Sequence, residues 1–211
     1  PWLEPANLGE PVSDPNAKEL YPFLTDDGLT LYFQSERRGG KGGADLWVSQ
    51  RASVDEPWGD PINLAVANGG GWDTAPHISS DGLTLLFSSD RQGGEGNRDV
   101  WMCQRNAPDA PWPEPVNLRA LNSSHSDEHP TLSRDGKMIV FASNRPGGQG
   151  EFDLWMSRRA TLESPWTPPV NLGGDVNSSK DDRDPQFSYD GSLWFGSKDR
   201  GVLITRPVQR R

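Results

Sequence analysis

One block of about 54 residues recurs along this chain, and no other feature of the sequence restricts the fold as strongly. The Asp-Gly pair stands at Asp27-Gly28, Asp81-Gly82, Asp135-Gly136 and Asp190-Gly191. The aromatic residue of an Asp-[Leu/Val]-Trp piece follows at Trp47, Trp101 and Trp155, and a Pro-Trp pair at Pro57-Trp58, Pro111-Trp112 and Pro165-Trp166. A repeat of this length means a solenoid, a propeller or an array, so architecture has to be settled before any local motif is read. Composition alone leaves disorder open, since only 33% of the residues are hydrophobic and Gly (23) and Pro (19) are plentiful. Nine Trp and seven Phe, many of them at repeating positions, decide for an ordered core.

Within each block the pattern predicts four short strands. The first follows or contains a proline (Phe23-Leu24, His77–Ser79, Thr131–Ser133, Gln186–Ser188), and the Asp-Gly pair then makes a tight turn. The second alternates with period 2, as in Leu29, Leu31 and Phe33 against Thr30 and Tyr32. After a glycine-rich loop comes the Asp-[Leu/Val]-Trp strand, and last a Pro-Trp…Asn-Leu segment whose prolines suit only a sheet edge. The chain opens with P-W-L-E-P-A-N-L (residues 1–8), the very segment missing after Val202–Arg206. This permutation predicts an all-β, four-bladed β-propeller spanning residues 1–211. Its repeats fall at about 19–64, 73–118, 127–172 and 182–206, and residues 1–8 are expected to complete the last blade as the closing strand.

The segments P-H-I-S-S-D-G-L-T-L-L-F-S-S-D-R-Q-G-G (76–94) and P-T-L-S-R-D-G-K-M-I-V-F-A-S-N-R-P-G-G (130–148) resemble the WD40-like repeat of TolB-type propellers. The fourth copy departs from that repeat after Phe195-Gly-Ser-Lys, where the Gly-Gly loop and the Asp-Leu-Trp are lost. The resemblance implies a binding role at a periplasmic, extracellular or cell-surface location, occasionally with a grafted enzyme. Fold alone does not choose among these.

Charge and cysteine content exclude several classes. A net charge of −9 argues against nucleic acid, whose phosphates need Lys and Arg. The single Cys103 excludes an internal disulfide and any multi-cysteine metal site. No apolar run approaches the roughly 20 residues that span a bilayer. No signal peptide stands at Pro1, and a start without Met fits a trimmed or excised chain. Asn122 and Asn177 each begin an Asn-Ser-Ser glycosylation sequon, a pattern short enough to arise by chance.

Two sets of residues are candidates for chemistry. An acid precedes each first strand, at Glu19, Asp73, Asp127 and Asp182. One reading has these carboxylates accepting backbone N–H groups where the chain passes between blades. The other gathers them near the axial channel around a divalent cation, Ca²⁺ or Mg²⁺, which takes oxygen ligands. The second set consists of positions that differ between copies, because repeats keep what folding needs and vary elsewhere. Before the proline stand Tyr21, Ala75, His129 and Asp184, and after it Phe23, His77, Thr131 and Gln186. Convergence of Tyr21, His77, His129 and Asp184 at one end of the axis would make a ligand, metal or acid–base site. The ordinary reading is a polar funnel.

Elsewhere the glycine-rich loops pair, on this reading, Asp45, Asp99 and Asp153 with Arg37, Arg91 and Arg145. Trp2, Trp58, Trp112 and Trp166 begin outer strands, either packing between blades or presenting indoles to sugar rings. Trp72 belongs to no repeated position and follows three glycines, which marks it as a ligand-facing aromatic. No G-x-S-x-G elbow is present. The favoured expectation is a non-catalytic module binding a protein or peptide through one face of the ring. The alternatives are a glycan-binding propeller, and an enzyme or metal site in the central channel.

Overall fold

The computed structural model describes residues 4–205 of the chain. It is a four-bladed β-propeller with the blades in chain order. Blade 1 comprises β1 (Glu19–Leu24), β2 (Thr30–Ser35), β3 (Asp45–Gln50) and β4 (Ile62–Asn63). Blade 2 comprises β5 (Asp73–Ile78), β6 (Thr84–Ser89), β7 (Asp99–Gln104) and β8 (Val116–Asn117). Blade 3 comprises β9 (Asp127–Leu132), β10 (Met138–Ser143), β11 (Asp153–Arg158) and β12 (Val170–Asn171). Blade 4 has β13 (Asp182–Phe187), β14 (Leu193–Ser197) and β15 (Gly201–Thr205). Each sheet is antiparallel with its strands in sequential order. None of the described residues is helical, so no helix is long and apolar enough to cross a membrane.

The Asp-Gly turns form as their chemistry requires. Asp27 Oδ1 accepts the Thr25 hydroxyl at 2.6 Å and the Leu29 N–H at 2.9 Å, while Gly28 takes a φ of +71° that a side chain would oppose. Ser79–Asp81, Ser133–Asp135 and Ser188–Asp190 repeat the hydroxyl bond at 2.6 Å.

The core lies between blades. Phe87 and Leu85 of blade 2 pack with Tyr32 and Leu46 of blade 1, and Phe141 and Ile139 of blade 3 with Leu86 and Val100 of blade 2. Phe195 and Leu193 of blade 4 complete the series against Val140 and Leu154. A backbone bond joins each of these pairs at one place: Asp73 N–H to Ala44 O, Asp127 N–H to Arg98 O, and Asp182 N–H to Phe152 O, at 2.7–2.8 Å.

The junction between blade 4 and blade 1 is built differently. First strands pack β1 on β5, β5 on β9 and β9 on β13, but β13 and β1 do not pack on each other. All six residues of β5 and of β9 are buried, whereas β1 leaves Leu20 and Leu24 exposed. The fourth sheet contains three strands among the described residues, so the expected fourth strand is not found there. Residues 1–3 of the expected closing segment lie outside the described residues, and residues 4–8 form no strand.

The sequence supplies the reason. In blades 1 to 3 an Asn amide clamps the third strand, as when Asn68 accepts the Leu46 N–H at 2.8 Å and donates to its carbonyl at 3.0 Å. Asn122 and Asn177 do the same to Val100 and Leu154. Ser13 stands at that position before blade 1, marked by its N–H bond to Gly9 O where Asn177 bonds Gly173 O. A second clamp runs from the fourth-strand Asn to the buried Asp45, Asp99 or Asp153. Strand register puts Gly201 in place of that aspartate. Both sequon asparagines are therefore clamps with their amides already engaged.

Candidate functional site

The four blades present two rings of unlike side chains to the axis. The inner ring is made by the residues before the prolines. Tyr21, Ala75, His129 and Asp184 all adopt left-handed backbone, with φ of 50°, 52°, 54° and 56°. Such φ values are uncommon outside glycine, and four at one repeated position make a designed bulge. Each first strand slips register here, between Leu20 and Phe23, for example. The slip aims these side chains at a cavity of about 420 Å³, lined also by Phe23, His77 and Gln186.

Within that cavity His129 joins three blades. Its Nδ1 lies 2.9 Å from Asp184 Oδ1, its Nε2 3.7 Å from Glu128 Oε2, and its ring centroid 4.8 Å from that of Tyr21. Its backbone N–H donates to Ser88 Oγ of blade 2 at 2.9 Å. Burial acts to raise the Asp184 pKa, but the contact with His129 and the positive charge of Arg183 outweigh it and hold the carboxyl low. Burial, with the Asp184 and Glu128 charges, raises the Tyr21 phenol. Glu128 is almost fully buried and draws Arg183 to 3.3 Å and Arg98 to 3.7 Å.

His77 lines the same cavity with its ring 4.6 Å from that of Phe23. Its Nε2 accepts the Leu132 N–H at 3.1 Å, so that nitrogen already serves the blade 2–blade 3 junction. Burial pushes its pKa down to about 4, which leaves a neutral imidazole. Thr131 has the corresponding role in the next blade, where its hydroxyl accepts the Phe187 N–H at 3.3 Å.

The outer ring surrounds the mouth on the Asp-Gly turn side, over a second cavity of about 430 Å³. Its members precede the Asp-Gly pairs: Asp26, Ser80, Arg134 and Tyr189. Arg134 reaches across the axis to Asp26 at 3.4 Å and stacks on Tyr189 with 4.1 Å to the ring centroid. Tyr189 is 80% exposed, the most exposed large hydrophobic side chain of the described residues. Variation between copies, which selects the inner ring, marks these four positions and Glu128 equally, and sequence reading overlooked them.

The expected cation site needs correcting. Glu19, Asp73, Asp127 and Asp182 each hold an arginine of their own blade: Arg37 at 3.2 Å, Arg91 at 2.6 Å, Arg145 in close contact and Arg200 at 3.2 Å. Asp73, Asp127 and Asp182 also accept the backbone N–H groups of Gly69, Ser123 and Ser178, which is the simpler of the two readings. No three His, Cys, Asp or Glu side chains gather as a metal site among the described residues, so these four do not fit a Ca²⁺ or Mg²⁺ ion. The loop aspartates are also repartnered. Asp45, Asp99 and Asp153 accept N–H groups of their own glycine-rich loops, including Gly42, Gly96 and Gly150 at 3.0–3.2 Å, rather than pairing with Arg37, Arg91 and Arg145.

The aromatic candidates divide in the same way. Trp58, Trp112 and Trp166 lie half-buried beneath Arg51, Arg105 and Arg159, with 4.0–4.5 Å from guanidinium to ring. Trp2 lies outside the described residues. Trp72 is exposed but lines neither axial cavity. It bridges to Ala44 at the blade 1–blade 2 junction, with Arg98 6.0 Å above its ring.

A four-bladed propeller with two rings of individual side chains on its axis is thus the class that fold and site define. Among solved structures it is similar to a putative TolB from Agrobacterium tumefaciens, at 16% identity and a TM-score of 0.55 over 82% of this chain and 51% of that one. An endo-arabinase from Bacteroides thetaiotaomicron is similar at 16% identity and a TM-score of 0.57, covering 90% of this chain and 74% of that one. An α-L-arabinofuranosidase from Lactobacillus brevis is similar at 11% identity and a TM-score of 0.61, covering 90% and 70%. This chain spans about half the length of the TolB structures it matches. No protein-family model and no curated protein sequence matches it. At these identities the likeness is one of fold, and it includes the TolB-type propellers that the repeat resembles.

Proposed function

We propose that this propeller is a non-catalytic binding module that takes a peptide or a peptide-like loop of a partner protein at the turn-side mouth of its axis. The observation that carries this reading is the Asp26–Arg134–Tyr189 arrangement. An exposed tyrosine, an arginine stacked on it and a carboxylate sit at the centre of one face, over a cavity that admits a side chain. Tyr and Arg dominate the energetics of protein interfaces because they offer large contact area together with hydrogen bonds. The acid and the base allow the mouth to pair with either charge of a peptide, and the −9 net charge favours a basic partner.

The glycan alternative draws less support, since three outer-strand indoles lie under arginines instead of facing solvent. For the enzyme alternative, His77 is neutral and tied to backbone, while His129 is wedged between two carboxylates. A periplasmic or extracellular location belongs to the proposal and rests on the repeat resemblance.

The test uses peptides selected on the purified protein from a random library. Arg134→Ala and Tyr189→Ala should each weaken a selected peptide at least tenfold while leaving the melting curve unchanged. Undiminished affinity in both variants would remove the mouth as the site.

A further inference from the structure

Two grooves beside the turn of blade 2 open into the mouth. The cavity beneath the mouth runs outward between blades 1 and 2, with Thr30 and Gln50 on one wall and Arg105 and Pro108 on the other. Between blades 2 and 3 lies a further cavity of about 650 Å³, with Thr84 and Gln104 on one wall and Arg159 and Leu162 on the other. Each wall of this second groove is the wall of the first moved on by one repeat. The two cavities share Ser79, Ser80, Asp81, Leu132 and Arg134, so they meet beside the mouth and make one trough across blades 1 to 3.

Folding does not require the polar wall of either groove. Thr30 pairs with Gln50 and Thr84 with Gln104 across neighbouring strands, but the pair at this position in blade 3 is Met138 and Arg158. A hydroxyl and a primary amide each donate and accept, which matches the N–H and C=O groups of an extended chain. Charge favours one sign of occupant. Five acids and three arginines line the two cavities, and the arginines are already engaged. Arg105 and Arg159 donate from Nε to the Gly82 and Gly136 carbonyls at 2.8 and 2.7 Å and lie on Trp112 and Trp166, while Arg134 holds Asp26. Glu163 stands in the second groove next to Leu162, an aliphatic side chain left 48% exposed.

We infer that the partner peptide lies extended along this trough across blades 1 to 3, and that it carries a lysine or arginine in the groove between blades 2 and 3. The apolar stem of that residue lies on Leu162 and its charge meets Glu163 and Asp135, as long basic side chains divide themselves between apolar surface and acid. Thr84 and Gln104 bond the peptide main chain. This inference rests on the peptide reading of the mouth and adds the path and the charge of the peptide to it.

The probe is the tightest peptide selected from a random library on the intact protein, labelled with fluorescein and followed by anisotropy. Thr84→Met with Gln104→Ala removes the polar wall and places at 84 the residue that blade 3 carries there. Affinity should fall at least tenfold with the melting curve unchanged. Should that double variant fail to fold, Gln104→Ala alone replaces it, at an exposed position, with a loss of at least threefold. Glu163→Gln should also cost at least threefold, and the selected peptides should be richer in Lys and Arg than the library. If Arg134→Ala and Tyr189→Ala weaken the peptide while the groove variants bind as the wild type does, the peptide stops at the mouth. That result overturns this inference and leaves the reading of the mouth standing. Selected peptides without basic residues, or full affinity in Glu163→Gln, overturn it likewise. A peptide indifferent to Arg134 and Tyr189, or a library that yields no binder, overturns both.

Discussion

The imidazole of His77 in blade 2 accepts the backbone N–H of Leu132 in blade 3 at 3.1 Å. It does so from full burial, and its pKa falls from 6.5 to about 4. Folding therefore holds this side chain neutral, while the unfolded chain protonates it through the mildly acidic range. The contribution to stability is complete above pH 6.5 and is lost as pH falls toward 4. A fall of this size corresponds to about 3 kcal/mol. Urea unfolding between pH 4 and 8 should show this slope, and His77→Gln should flatten it; an equally steep profile in the variant would assign it to other groups.

Arginines that look alike in sequence should differ in worth. Arg91 is largely buried against the fully buried Asp73, whereas Arg200 beside Asp182 is about a third exposed. Breaking a buried pair by removing one partner costs about 3–5 kcal/mol. Arg91→Ala should approach that cost, and Arg200→Ala should lose less than half as much in the same denaturant series. Equal losses would contradict the difference in burial.

Ala75 carries a φ of 52° at a position where its own side chain is small and buried. Left-handed backbone costs a non-glycine residue about 1–2 kcal/mol. Ala75→Gly should accordingly raise the melting temperature, by an amount worth about 1 kcal/mol after the entropy that glycine gives the unfolded chain. A lower melting temperature would mean that the bulge is not strained.

Cys103 lies in the blade 1–blade 2 core with no exposed surface, and burial raises its thiol to about 12. A thiol reacts as thiolate, so an aromatic disulfide reagent should leave Cys103 untouched in native protein and label it fully in denaturant. Rapid native labelling would require that this junction open readily.

The architecture was legible because repetition makes every error visible three more times. The Asp-Gly turns, the alternating second strands and the Asp-[Leu/Val]-Trp strands all fall where periodicity places them. The closing segment reads less clearly, since its Pro-Trp…Asn-Leu text survives at 1–8 while the residues that grip it, an Asp and an Asn, have become Gly201 and Ser13. Gly201 lies far along the chain from the segment it would hold. The partners of the acids were misassigned for a related reason. Asp73 and Asp99 lie 18 and 8 residues from Arg91, and only strand register shows that the farther one bonds it. At the axis, variation between copies selects the residues on both sides of the proline, and Tyr21, His77, His129 and Asp184 all line the inner cavity. The same test, applied one turn further along, finds Asp26, Ser80, Arg134 and Tyr189, whose neighbouring Asp-Gly pairs draw attention to the turn instead.

Binding of a partner at the mouth of the axis is tested most directly by amide chemical-shift mapping with a selected peptide. The largest changes should cluster on Asp26–Gly28, Ser79–Gly82, Arg134 and Tyr189, at one end of the axis. Changes confined to the outer strands β4, β8 and β12 would contradict it.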